Sequence, residues 1–234
     1  DKTRPTTNKN TIVASGYNLL KIDKVDNQPI STINLEKVKN LIKKQKTDAV
    51  IFSDFRHGIF NKTSIPILCS AIKKNVCKIA DSQVATRWGN ITDFKSFDLL
   101  TPNEKEARFS LADQDSSISD LTRRLIQETK LKNLILKLGE RGVFSSGKNY
   151  LSGFALPSFS NKVVDAVGTG DALLAYATLS FLSTKSILIA SILGSFAAAC
   201  ECEKEGNIAI GPEDIIKKIN IVEELSSYKT TRKS

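Results

Sequence analysis

The sequence predicts an α/β fold, a doubly wound, mostly parallel sheet flanked by helices. Three observations predict it. From residue 49 onward, apolar runs of strand length alternate with amphipathic helical stretches, the pattern of parallel strands joined by helical crossovers. Polar residues, among them Asp54, Asp81 and Asn103, follow the apolar runs directly, at the strand ends where such sheets place their ligands. Finally, the turn Gly168-Thr169-Gly170-Asp171 opens onto an Ala- and Leu-rich run that reads as a buried helix.

The chain is polar to residue 10. Thr11–Ser15 and Tyr17–Asp23 then read as two short strands around Gly16, an accessory sheet (1–25) set apart from the main domain (26–234). Leu35, Val38, Leu41 and Ile42 share one face of a first helix, with lysines on the other. Ala49–Phe52 is a strand running into Ser53-Asp54-Phe55-Arg56-His57-Gly58, and a helix from Ile65 to Lys74 leads to strand Val76–Ala80, ending at Asp81. The stretch Trp88–Phe94 has no clear period. Phe97–Leu100 is the next strand. Behind it, Pro102, Asn103, Glu104 and Glu106 mark a helix start, because Pro is tolerated in the first turn and acidic side chains suit the positive end of a helix dipole. An amphipathic helix over Ile118–Lys130 precedes strand Asn133–Lys137, and Leu138–Gly142 turns into Val143–Ser145 as a hairpin. The apolar region Ala172–Cys200 is broken at Ser183-Thr184-Lys185-Ser186. That makes it a helical hairpin, with each arm short of the ~20 residues a membrane span requires.

Composition narrows the function. With 234 residues, 41% hydrophobic and 25% charged, the chain can bury a full core. A net charge of +9 suits acidic ligands such as nucleotides. Nucleic acid is disfavoured: aromatic residues are 7% of the chain and none interleaves with the lysines, which spread over helix faces and a Lys229–Lys233 tail. Four cysteines in no C-x-x-C pair, with a single histidine, make no zinc set, and Cys200 and Cys202 read as small buried thiols. Reduced thiols, no signal peptide and no membrane span point to a cytoplasmic protein with no membrane partner. The chain begins at Asp1 and has no methionine. It therefore reads as a piece of a longer protein, or as a sequence from which methionines have dropped out.

The chemistry concentrates at the glycine turn. Glycines around Thr169 let backbone N–H groups crowd together, and the helix behind them adds the positive end of its dipole, so the turn is an anion site. A carboxylate beside a phosphate is useful where something must lose a proton, which makes Asp171 a candidate base for phosphoryl transfer. Asp54, Asp81, Asn103 and Glu106 fall on the same predicted rim; for Asn103 and Glu106 helix capping is the competing reading. Other nucleotide and hydrolase signatures fail. There is no G-x-x-x-x-G-K-[ST] segment, the glycine turn lacks the third glycine of a dinucleotide fingerprint, and one histidine leaves no readable Ser/His/Asp set.

Four segments in order resemble the ribokinase-type (PfkB) carbohydrate kinase family. Asp165-Ala-Val-Gly168-Thr169-Gly170-Asp171 resembles its D-[TA]-x-G-[AT]-G-D signature, and Thr101-Pro102-Asn103-Glu104-Lys105-Glu106 its T-P-N-x-x-E segment. Leu136-Lys137-Leu138-Gly139-Glu140-Arg141-Gly142 resembles its T-L-G-x-x-G strand and turn, and Gly194–Cys200 with Gly206 its small-residue nucleotide helix. Within the family, the heptose-phosphate branch is the most similar. Arg4-Pro5-Thr6-Thr7-Asn8-Lys9 to Lys21-Ile22-Asp23 resembles its R-x-T-x-K to R-x-D segment, and Ser53–Gly58 its S-D-Y-x-K-G, with His57 where lysine is usual.

The resemblance implies an ATP- and Mg²⁺-dependent kinase acting on a small sugar or sugar phosphate. Asp171 would be its base and Gly168, Thr169, Gly170 and Asp171 its anion hole. It implies nucleotide binding by Lys137, Gly139, Gly142, Ser195 and Ala198, and Mg²⁺ held through water by Asn103 and Glu106. Lys9, Asp54 and His57 would lie on the substrate side, and Asp165 near a monovalent-cation site. It also implies that the first 25 residues belong to a small β lid, through which members often form homodimers. The family's N-terminal sugar-binding segment is not in this sequence, so the chain reads as the C-terminal two-thirds or so of such a kinase. Two alternatives stay open: a non-catalytic nucleotide- or sugar-binding module, should the chain be complete, and a nucleoside or vitamin kinase on the same scaffold.

Overall fold

The structure is a computed structural model that describes residues 4–15, 17–83, 90–147, 150–206 and 208–231. Strands β1 (Asn8–Ala14) and β2 (Tyr17–Lys24) pair antiparallel as a separate ribbon. After helix α1 (Thr32–Lys44), the main sheet holds β3 (Ala49–Asp54), β4 (Cys77–Ser82), β5 (Leu99–Leu100), β6 (Asn133–Lys137), β7 (Val143–Gly147) and β8 (Tyr150–Leu156). These six strands lie side by side in chain order. β3 to β6 are parallel; β7 and β8 close the sheet antiparallel. Helices α2 (Ser64–Cys69), α3 (Glu104–Leu111), α4 (Ile118–Thr129), α5 (Thr169–Thr184), α6 (Ile187–Cys202) and α7 (Pro212–Thr231) complete the chain.

The sheet is covered on both faces. Phe52, Leu100, Leu134 and Leu136 pack with Leu35, Leu68, Ala107 and Leu121, burying α1 to α4 against one face. Ile79, Leu99 and Ile135 pack with Leu173, Ala177 and Ala190 of the α5–α6 hairpin on the other. The alternation is set by the strand period, which sends successive side chains to opposite faces. Phe52 and Phe97 meet edge-on with centroids 5.1 Å apart, and Phe94 joins them at 5.4 Å from Phe97. Cys200 and Cys202 are buried, and burial pushes the Cys200 thiol up to about 11, as suits a packing residue.

Several boundaries move, each for a local reason. α1 starts at Thr32, because the Ser31 hydroxyl accepts the Asn34 amide at 3.4 Å. α2 stops at Cys69, five residues short of Lys74, and the chain turns so that the Val76 amide reaches the Lys73 carbonyl at 3.0 Å. β5 shrinks to Leu99–Leu100. Asp54 and Asp81 lie inside their strands instead of beyond them, since the β3–β4 ladder continues through Ser53↔Asp81 and Asp54↔Ser82. β8 is found only in the structure, and so is α7, although Pro212 with Glu213 and Asp214 repeats the helix-start chemistry of Pro102 with Glu104 and Glu106. Trp88, and the end of the basic tail from residue 232, lie outside the described residues. Among the described residues no helix is long and apolar enough to cross a membrane.

Candidate active site

The glycine turn is clamped from below. The amides of Val164 and Asp165 donate to the Cys202 carbonyl at 2.7 and 3.2 Å, and Asp165 Oδ1 accepts the Val167 amide at 3.0 Å. Gly168 then caps α5 at φ +84°, a left-handed conformation that glycine adopts without a Cβ penalty. The Thr169 amide makes a long 3.4 Å bond to the Ala166 carbonyl. Gly170 and Asp171 donate to no backbone carbonyl among the described residues, as first-turn amides do not. The Asp171 side chain is exposed.

Opposite the turn stands an ion pair. β5 ends at Leu100, and across its short end Lys137 Nζ, from β6, reaches Asp81 Oδ2 of β4 at 2.8 Å. A Cβ on Gly170 would lie 3.2 Å from that Nζ and 4.0 Å from that Oδ2, so the pair sits against the glycine. Asp81 is buried, which pushes its carboxyl above the usual range; the Lys137 charge and hydrogen bond and the Thr101 hydroxyl oppose that push, and the Asp171 charge adds to it. The backbone of Lys137 is fixed by its amide bond to the Pro102 carbonyl at 2.8 Å.

Asn103 and Glu106 form a reciprocal capping box at the start of α3. Asn103 Oδ1 accepts the Glu106 amide at 2.8 Å. Glu106 Oε2 accepts the Asn103 amide at 2.6 Å, and Oε1 accepts Asn103 Nδ2 at 2.7 Å. Asn103→Ala should therefore cost about 1 kcal/mol of stability through the cap alone. Urea unfolding measures it, and an unchanged midpoint would show that the cap does not bear on stability.

A groove of about 750 Å³ runs behind the turn, within the size range of small-molecule sites. Lys137, Gly139, Gly142, Ser195 and Ala198 all line it, together with Thr169. The two glycines differ. A Cβ on Gly139 would meet nothing within 4 Å, whereas one on Gly142 would meet the Leu156 carbonyl oxygen at 2.1 Å. Gly142 is therefore glycine for the sake of the neighbouring strand end, and Gly139 borders open space. The wall at Ser160–Asn161 is held by Glu203, which accepts the Asn161 amide at 2.8 Å and pairs with Lys218 at 2.5 Å.

A second cluster lies at the ends of β3 and β4. Asp54 is buried and accepts from the Arg56 amide at 2.7 Å, Asn90 Nδ2 at 2.9 Å, and the Arg56 guanidinium and Ser82 hydroxyl at 3.4 Å. Its carboxylate thus shapes the loop that carries His57. Arg4 reaches from ahead of β1 to the carbonyls of Asp26 and His57, and Lys9 stands 5.7 Å from the centre of the Phe55 ring. Thr7 Oγ1 lies 3.3 Å from His57 Nδ1. Burial and then Lys9 push the His57 pKa down, Asp54 and Asp23 push it up, and Arg4 pushes it down; the net shift is downward.

The structure thus gathers the turn and the five groove residues at one place, with Asp81 and Asp165 beside and beneath them. Lys9, Asp54 and His57 share a neighbouring place on the same rim. Sequence reasoning missed Ser82 and Asn90, which partner Asp54. Asn90 lies within Trp88–Phe94, a stretch without clear periodicity, so nothing local pointed to it. It also missed that Lys137 and Asp81 are partners, a contact between strands that only topology reveals.

Comparisons with known proteins give the family and the fold. The profile of the pfkB family carbohydrate kinases matches residues 1–214. Bifunctional protein HldE from Helicobacter pylori strain J99 is 29% identical over 94% of this chain and 48% of its own length; that from Geobacter metallireducens is 25% identical over 92% and 44%. The chain spans about half the length of these curated relatives. Among solved structures, phosphofructokinase-2 from Escherichia coli superposes with a TM-score of 0.72 at 16% identity, covering 87% of this chain and 67% of the other. Ribokinase from Thermotoga maritima gives 0.71 at 23% identity, covering 93% and 70%. At such identities the structures establish the fold, a ribokinase-like α/β arrangement.

Proposed function

The chain belongs to the pfkB family of carbohydrate kinases, and from that premise we propose that it transfers the γ-phosphoryl group of ATP to a hydroxyl of a sugar phosphate of the heptose-phosphate type. The observation that carries the reading is Asp171, exposed at an amide-lined helix start and opening beside the groove that holds every residue assigned to the nucleotide. The acceptor hydroxyl oxygen forms the new bond to phosphorus. The bond from phosphorus to the bridging oxygen breaks, and its electron pair leaves with ADP. The hydroxyl proton goes to Asp171, and the amides of Gly168 to Asp171 face the charge on the moving group.

Asn103 and Glu106, which cap α3 and bond to each other, are the residues that would hold a hydrated Mg²⁺ arriving on the nucleotide phosphates. Such an ion would supply charge neutralisation on the phosphates, and Asn103 and Glu106 would contact it through water. Asp165 is the residue we assign to a monovalent cation; the phosphofructokinase-2 structure from E. coli contains potassium.

On the acceptor side, Lys9 brings a positive charge to a rim where Arg4 ties the Asp26 and His57 carbonyls and Arg56 pairs with Asp54, which favours a substrate that already carries a phosphate. A panel of sugars, sugar phosphates and nucleosides, read by ADP release, tests this. Turnover is expected with sugar phosphates. Turnover confined to nucleosides would overturn the acceptor, and nucleotide binding with no ADP release on any acceptor would favour a binding module.

A further inference from the structure

Resting on the phosphoryl-transfer reading above, we propose that Lys137 is a catalytic cation whose ammonium leaves Asp81 for the transferring phosphoryl group when ATP is bound. It would thereby add a charged side chain to an anion hole otherwise made of amides. Three placements support this.

The first is position. Nζ would sit 3.2 Å from a Cβ on Gly170, the residue whose free amide opens the hole, so an anion received there lies within reach of the ammonium. Lys137 also lines both the 750 Å³ groove and the adjoining cavity of about 940 Å³ over α3, which places its side chain where the two meet.

The second is mechanical. The Lys137 backbone is held by the Pro102 carbonyl on one side and by pairing with Val143 on the other, so its main chain is fixed and the flexible stem is free to swing. Lysine carries its charge as a compact point at the end of that stem, a form suited to phosphate.

The third is the partner. Asp81 neutralises the amine while no phosphate is present, and it is suited to releasing it. Burial and the nearby Asp171 charge push its carboxyl up, and the Lys137 charge is the largest influence holding it down. A phosphoryl group brings more negative charge and more acceptor oxygens than one carboxylate. The competing account is a structural tie that joins β4 to β6 across the short β5.

Calorimetric titration of the full chain with Mg²⁺ and either ADP or the non-hydrolysable analogue AMP-PNP separates the two. Lys137→Met is expected to weaken AMP-PNP relative to ADP by about tenfold or more, the worth of one charge-assisted hydrogen bond. Asp81→Asn, which keeps the lysine and removes its partner, is expected to hold or raise the preference for AMP-PNP. Thermal midpoints falling in both variants with the AMP-PNP/ADP ratio unchanged would overturn the proposal in favour of the tie. If Lys137→Met does not fold, a fall in the ratio for Asp81→Asn overturns it. Wild-type chain that binds neither nucleotide would remove the proposed function and this inference with it, whereas wild-type binding with an unchanged ratio in Lys137→Met removes this inference alone.

Discussion

Asp171→Asn is expected to abolish phosphoryl transfer while leaving the nucleotide bound. The substitution keeps the shape of the side chain and removes its ability to take a proton, so the loss should fall on the chemical step. General-base assistance is worth about 10²–10⁴-fold, and kcat should fall by that order. Binding should survive, because the amides of the turn and the groove around Ser195 and Ala198 are untouched. The fold should survive too, since the side chain is exposed and stands at a helix start where either residue is tolerated. Coupled ADP release and nucleotide calorimetry on one preparation give both halves of the result. Wild-type turnover in the variant would remove Asp171 as the base.

Gly142→Ala is expected to unfold the groove side of the sheet at a lower temperature, and Gly139→Ala to do so far less. At Gly142 the new Cβ would meet the Leu156 carbonyl oxygen at 2.1 Å and Pro157 at 2.5 Å, backbone atoms that cannot turn aside. The residue is also at φ +87°, a conformation that side chains avoid. Overpacking of about 1–3 kcal/mol and backbone strain of about 1 kcal/mol together give roughly 2–4 kcal/mol. For a domain of this size that lowers Tm by very roughly 4–16 °C. Gly139 shares the positive φ, +62°, but has open space around it, so only the strain of about 1 kcal/mol applies. Differential scanning calorimetry on the two variants checks the contrast. Equal shifts would mean that φ, and not the Leu156 contact, decides both positions.

The parts of the fold written in local chemistry were legible in the sequence. Ser183–Ser186 divides α5 from α6, and Asn133–Lys137 is a strand with the boundaries its apolar run suggests. The anion turn was legible for the same reason: two glycines, an acidic residue and an apolar helix are adjacent in the chain. What escaped depends on neighbours far away in sequence. Asp54 could be placed near a rim, but its partners Ser82 and Asn90 lie 28 and 36 residues on. Asn103 and Glu106 suggested both a cap and a metal contact; the structure shows the cap directly, and it leaves the carboxylate oxygens committed to Asn103. Gly142 looked like a concession to a ligand, and its constraint comes from β8, a strand without a strong signal of its own.

The order of the main sheet bears on how the molecule assembles. Each strand lies beside its predecessor in the chain, so the sheet can grow by successive additions, each closing a modest loop. The contacts around the glycine turn are of another kind. Asp81 and Lys137 are 56 residues apart, and the turn that rests against them is further along still. Those contacts can therefore close only once β4, β6 and the helix behind the turn are all in place.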